Sequence, residues 1–362
     1  MGSNPTLSAT LLDDIIYRVK YSFFDIHPES AHPAIVEYLL KHNLDHYVSP
    51  EKDAYAQLGE ERIKKAFGLT RADIYYMPNG TITNVTALSS MLKPFEGVIC
   101  PASGHINNYE TGALEATGRK IISVNASNGK LTPELIDEAL SGYKDHNNVT
   151  PRTVYLTQVT ETGAVYSQNE LETIIAYAKD HNLYTYLDGA RLAMAISHQN
   201  ITPEDFGGLD LDMFYIGGTK NGGMYGEALV VKNDEFKRDF ASYRKRQGAD
   251  MGKQRFMSLQ FARFFDEDGL WLRLAEHANE LGLRLRDGLE KIGVRLMPEA
   301  TANHAFLILE NKYIDKLEKE YGLSRWEKIN DKSTKIRLVC GWSTTKADVD
   351  GFLEDISMLL KN

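Results

Sequence analysis

Cysteine is nearly absent: Cys100 and Cys340 are the only two among 362 residues. They lie far apart, each in an apolar run. Neither a disulfide framework nor a metal site is therefore expected, and both are predicted to be buried free thiols in a reducing, cytoplasmic compartment. No apolar run reaches the 18 or so residues that a transmembrane helix needs. The charged-then-apolar opening of a signal peptide is missing too. Positive charge is in short supply, with 41 Lys and Arg against 50 Asp and Glu and a net charge of −9. That balance argues against nucleic acid or an anionic membrane as the main partner. Internal repeats and low-complexity tracts are also lacking. What remains is ordinary for a globular enzyme, 43% hydrophobic and 25% charged, and long enough for one large domain and a smaller one.

The most informative stretch runs from Asp212 to Gly226, DMFYIGGTKNGGMYG. A short apolar strand ends in Gly217-Gly218, followed by Thr219, Lys220 and Gly222-Gly223. The glycines remove side chains, so that a flat ligand can come close to the backbone, and strand ends are where open α/β sheets hold ligands. A partly desolvated lysine there has a lowered pKa and serves as an amine nucleophile. Taken alone, the same stretch also reads as a surface turn. Upstream, TYLDGAR (185–191) is a second apolar strand running into Asp188, with Arg191 close behind. Two strand ends of one βαβ-like unit face one crevice. Such a Lys/Asp pair is what pyridoxal phosphate requires, since its aldehyde condenses with a lysine and its ring nitrogen needs a carboxylate.

Alternation of strands and helices predicts a mostly parallel sheet covered on both faces. The expected strands are Ile74–Met77, Gly97–Cys100, Lys120–Val124, Thr153–Gln158, Thr185–Leu187, Met213–Ile216 and Ala228–Val231, with helices such as Ile82–Met91, Thr132–Leu140 and Glu170–His181 between them. Helical spacing also marks Leu7–Lys20, Ala34–Asn43 and Asp53–Phe67. After Arg246 the pattern changes to a long helical region, Phe256–Ile292. Strands are expected next at Val294–Met297 and Ala305–Leu309, then a helix at Lys312–Tyr321, a strand at Ile336–Cys340 and a helix at Lys346–Leu360. The expected division is an N-terminal segment over 1–45, a large domain over 46–246 and a small α+β domain over 247–362.

LDGARL at 187–192, GGTK at 217–220, NGTITN at 79–84 and GHINNYETGA at 104–113 together resemble the threonine aldolases of the β-eliminating lyase/threonine aldolase family. These are fold-type I pyridoxal-phosphate enzymes, and the resemblance runs from about residue 20 to 357. It implies a lyase that cleaves L-threonine, L-allo-threonine or a related β-hydroxy amino acid to glycine and an aldehyde. A β-eliminating lyase giving a keto acid and ammonia, a transaminase and a non-catalytic relative remain as alternatives. A homodimer or homotetramer is implied as well.

Residue by residue, the resemblance places Lys220 and Asp188 on the cofactor's aldehyde and ring nitrogen. Asn79, Gly80 and Thr81 fall at its phosphate, where a strand–helix turn on its own calls only for a capping residue. His105 falls on the face of the ring, and Glu110 matches a family acid without a defined role. Arg191 and Arg337 fall at the substrate carboxylate, which a planar guanidinium grips bidentately. Read without the family, each is an ordinary surface arginine. Lys245 and Lys253, in the basic run 243–253, correspond to residues that reach a neighbouring subunit's phosphate. Two departures concern the substrate. Glu161 stands where the family carries a histidine, as a general base or a structural acceptor. Asp25 is the nearest match to an N-terminal substrate-binding motif.

Overall fold

The computed structural model describes residues 19–46 and 53–361. Most of the helix expected over 7–20 lies outside them. Twelve strands occur among the described residues: β1 (Tyr21–Ser22), β2 (Asp73–Met77), β3 (Glu96–Pro101), β4 (Lys120–Val124), β5 (Thr150–Thr157), β6 (Tyr184–Asp188), β7 (Met213–Gly217), β8 (Glu227–Val231), β9 (His304–Glu310), β10 (Tyr321–Gly322), β11 (Ser324–Lys328) and β12 (Ser333–Val339). Seven of these form one sheet in the order β2-β8-β7-β6-β5-β3-β4. All its pairings are parallel except the two made by β8. Every residue of β3, β7 and β8 is buried, as expected of strands covered on both faces. All seven strands expected for this sheet are present. Cys100 and Cys340 are buried free thiols.

Two glycines set how closely the chain approaches itself at the sheet's edge of action. A Cβ on Gly189 would meet the Tyr215 carbonyl oxygen at 1.8 Å, and one on Gly217 would meet the Ala190 carbonyl at 2.4 Å. Only glycine lets the ends of β6 and β7 lie side by side there. Asp188 and the Lys220 turn are thereby brought to a common rim.

The C-terminal part departs from expectation in three places. The helical region splits into helices Arg255–Phe264 and Leu270–Ile292, because Gly269 takes a left-handed φ of 59°. The strand expected at Val294–Met297 reduces to one bridge, Leu296 to Leu307. The helix expected over Lys312–Tyr321 stops at Leu317, since Tyr321 pairs with Tyr21 in a short parallel ladder. β11, not anticipated, is the edge of a three-stranded antiparallel sheet with β12 and β9. A separate hydrophobic cluster beneath that sheet contains Tyr21, Phe23, Leu285, Leu307, Ile336, Phe352 and Ile356. Helix Leu270–Ile292 contributes Trp271, Leu274 and Ala278 to the large core and Leu281, Leu285 and Leu289 to this second one.

Candidate active site

The ends of β2, β3, β5, β6 and β7 converge on a cavity of about 460 Å³, at the rim where parallel sheets place their ligands. It is lined by Asp25, Asn79, Gly80, Thr81, His105, Glu161, Asp188, Arg191 and Lys220, together with Ile26, Ile82, Ala190, Tyr215, Thr219 and Glu227. Nine residues singled out from the sequence thus meet in one place.

Lys220 sits in a tight turn, Thr219–Asn221, closed by Gly222 at φ 87°. Its Nζ lies 2.7 Å from Asp25 Oδ2. Burial, and then the charge of Arg191, lower the lysine's pKa, and the Asp25 carboxylate only partly opposes them. An amine so placed is easier to obtain uncharged, as a nucleophile must be.

Asp188 closes β6. Its Oδ2 accepts hydrogen bonds from Tyr155 Oη at 2.8 Å and Asn84 Nδ2 at 3.0 Å, and its Oδ1 accepts the Ala190 N–H at 3.1 Å. Burial alone would raise its pKa. The positive field of His105 and the hydrogen bonds of Tyr215, Asn84 and Tyr155 outweigh it and hold the carboxyl below its ordinary value. A buried carboxylate kept ionised in this way is suited to a protonated ring nitrogen.

Asn79 caps helix Gly80–Met91, its side chain accepting the Ile82 N–H at 2.9 Å. The N–H groups of Gly80 and Thr81 have no intrahelical acceptor by their position. The site therefore has the cradle in which a phosphate sits, and a Cβ on Gly80 would come within 3.3 Å of Tyr215 Oη. His105 Nδ1 pairs with Glu110 Oε1 at 2.8 Å.

Arg191, directly before helix Leu192–Gln199, directs its guanidinium at Asp25, with Nε 2.8 Å from Oδ1 and Nη2 on Oδ2. Asp25, expected among the substrate contacts, has its carboxylate engaged by Arg191 and Lys220. Burial would raise its pKa, but Arg191, Lys220 and Arg337 together hold it well below the usual range. Glu161 is buried, and burial followed by the charge of Asp188 pushes it up to about 7, against the pull of Arg191 and His105. Arg337, on β12, does not line the cavity. Its guanidinium lies 4.5 Å from the Trp326 ring centroid, and its buried Nε has no hydrogen-bond partner. Lys245 is exposed and paired with Asp250 at 3.1 Å; Lys253 is exposed. Neither lines the cavity.

Sequence reading missed Asn84, Tyr155, Tyr215 and Glu227. Only Asn84 carried a signal, being a poor helix former inside the helix that follows the Gly80 turn. Glu227 is buried at the start of β8, accepts the Gly218 N–H at 2.8 Å and is pushed up to about 7 by burial. Among the described residues no group of three or more His, Cys, Asp or Glu side chains is placed to hold a metal ion. Nor is any helix among them long and apolar enough to cross a membrane.

Comparison with known proteins identifies the family. The Beta-eliminating lyase family model matches residues 30–312. The low specificity L-threonine aldolase of a Pseudomonas species is 33% identical over 326 residues, covering 88% of this chain and 92% of that protein. The Pseudomonas aeruginosa protein of the same name is 31% identical, covering 87% and 89%. The solved Leishmania major threonine aldolase superposes with a TM-score of 0.90 at 35% identity, over 94% of this chain and all of that one. Thermus thermophilus aspartate aminotransferase, at 13% identity and a TM-score of 0.69, shares the fold. A family match over most of the chain, joined to relatives above 30% identity over nearly their full length, shows that this chain belongs to the β-eliminating lyase family, in its threonine aldolase branch.

Proposed function

We propose that this chain is a pyridoxal-phosphate-dependent aldolase that cleaves L-threonine, L-allo-threonine or a related β-hydroxy amino acid into glycine and an aldehyde. The observation that carries this reading is the single cavity holding Lys220, Asp188, His105 and the N-terminus of helix Gly80–Met91. Threonine aldolases are among the relatives that match nearly the whole chain. The residues fit the cofactor: a depressed lysine, an ionised buried carboxylate, a helix N-terminus for the phosphate and a histidine beside them. When bound, the cofactor would supply an electron sink for the bond broken at the substrate Cα.

The chain's own residues do the rest. Lys220 would supply the amine that holds the cofactor, and Asp188 would face its ring nitrogen. Gly80 and Thr81 would offer backbone N–H groups to its phosphate, with Asn79 fixing the turn. Arg191 and Arg337 take the substrate carboxylate, and Asp25 keeps Arg191 oriented until it arrives. Arg337 is suited to this task because its Nε is buried without a partner, a state that an incoming carboxylate relieves. Glu161, poised near neutrality, accepts the β-hydroxyl proton as the Cα–Cβ bond breaks. His105, which lines the same cavity, would lie against the ring. Lys245 and Lys253, which are exposed and do not line their own cavity, serve that of a neighbouring copy in a homo-oligomer. Such an enzyme acts in the cytoplasm on free amino acids.

The test is a product assay on L-threonine and L-allo-threonine. Glycine with acetaldehyde supports the proposal, and 2-oxobutyrate with ammonia replaces it by β-elimination.

A further inference from the structure

One buried asparagine joins the two groups that the proposed function sets on the face and at the ring nitrogen of the cofactor. Asn84 Nδ2 donates to Glu110 Oε1 at 2.7 Å and to Asp188 Oδ2 at 3.0 Å. Its Oδ1 accepts from Tyr186 Oη at 2.8 Å. The amide orientation is not free, since carboxylates on one side and a phenol on the other admit only this assignment. Glu110 Oε1 also pairs with His105 Nδ1 at 2.8 Å. The continuous path is therefore His105, Glu110, Asn84, Asp188, and it draws on three segments of the chain.

Asn84, Glu110 and Asp188 are between 1% and 5% exposed. Two buried carboxylates share one amide donor group. Glu110 Oε2 is buried and has no hydrogen-bond partner. Leaving both carboxylates ionised there costs free energy unless a cation stands beside them. His105 is the group within reach. The charged and titratable groups around it are Glu110, Asp188 from β6, Lys220 after β7, Glu161 after β5 and Tyr109 beside its ring. Three of these are carboxylates, and one, Lys220, is a cation that opposes the histidine's charge.

We propose that Asn84 and Glu110 are positioning residues that tie His105 and Asp188 into one hydrogen-bonded unit, so that His105 faces the cavity as a proton-carrying ring. The proton belongs to the His105–Glu110 pair. Burial works against the imidazolium, but the bond to Glu110 and the charge of Asp188 prevail and raise the histidine's pKa. Burial also raises Glu110 against the same bond, so neither partner gives up the shared proton easily. The role of each end rests on the proposed function, but the coupling between them does not.

The experiment is a ¹⁵N-histidine NMR titration of the full-length chain, with and without added pyridoxal phosphate. The His105 resonance is the one missing from His105→Asn. In the unaltered chain its midpoint should lie above the ordinary value of about 6.5. Glu110→Gln should cost His105 about tenfold or more in proton affinity, which is roughly one pH unit. Asn84→Leu, which never touches His105, should lower the midpoint by a smaller amount. Asn84→Ser, whose hydroxyl serves only one carboxylate at a time, should give an intermediate shift and guards against a leucine variant that does not fold. An unmoved midpoint in Glu110→Gln overturns the pairing. An unmoved midpoint in a folded Asn84 variant overturns the coupling. If no yellow cofactor band forms, the proposed function fails, while the titration still decides the coupling.

Discussion

One carboxylate, that of Asp25, grips the Arg191 guanidinium and also lies 2.7 Å from Lys220 Nζ. Its pKa is held below the ordinary range, so the folded state binds its proton more weakly than the unfolded chain does. The sign follows. These pairs stabilise the fold above the ordinary aspartate value near 3.9, and the contribution disappears as the pH falls through the lower folded value. Asp25→Asn leaves a buried arginine unpaired and should destabilise the chain by about 3–5 kcal/mol at pH 7. The gap to the unaltered chain should shrink below pH 4. Urea unfolding at both pH values checks this, and a pH-independent gap contradicts it.

Lys220→Ala should leave the fold intact and remove the visible absorbance of bound cofactor. No cofactor should be trapped on the protein by borohydride. Trapping in the variant would move the attachment to another lysine.

Arg337→Leu should raise KM for amino-acid substrates roughly ten- to hundredfold, the equivalent of a charge-assisted hydrogen bond of about 1.5–3 kcal/mol, without loss of cofactor. An unchanged KM would make Arg337 a structural partner of Trp326 alone.

Glu161→Gln should slow aldol cleavage by about 10²–10⁴-fold, the range for general-base catalysis, while solvent exchange of the glycine α-proton survives. As a base, Glu161 works only when deprotonated. kcat/KM should therefore rise with pH through about 7, and that limb should vanish in Glu161→Gln. Glu227 is also pushed to about 7, so Glu227→Gln is the control that should keep the limb. Loss of the limb in Glu227→Gln instead would transfer the titration to β8.

The seven strands and the meeting of Lys220 and Asp188 at one cavity were legible because each depends on local pattern: an apolar run, then glycine and one polar residue. Arg191, His105 and the Gly80 turn were legible only through the resemblance, since each is commonplace out of context. Asn84 and Tyr155 escaped because their partner, Asp188, is 104 and 33 residues away. No periodicity in a single chain encodes a contact that the sheet order creates. The strand expected at Val294–Met297 failed for a related reason. It meets β9 only at Leu296, which bridges Leu307 on the edge that β12 leaves open, and how far such a contact extends is again set by the tertiary fold.

Helix Leu270–Ile292 runs from the core under Lys220 to the core under Arg337. At 23 residues it is a rod of about 35 Å. Asn221, next to Lys220, donates its side-chain amide to the Trp271 carbonyl in the first turn at 2.7 Å. Eleven residues further on, Gly282 packs so tightly that a Cβ would lie 2.7 Å from the Ala302 carbonyl, just before β9, the strand paired with Arg337's own. The separation between the amine and the distal guanidinium is thus gauged by one mechanical part. Under the proposed function a substrate would be measured against a ruler whose two ends are fastened in different cores, and altering its seating at Gly282 would shift Arg337 relative to Lys220 without touching any residue that lines the cavity.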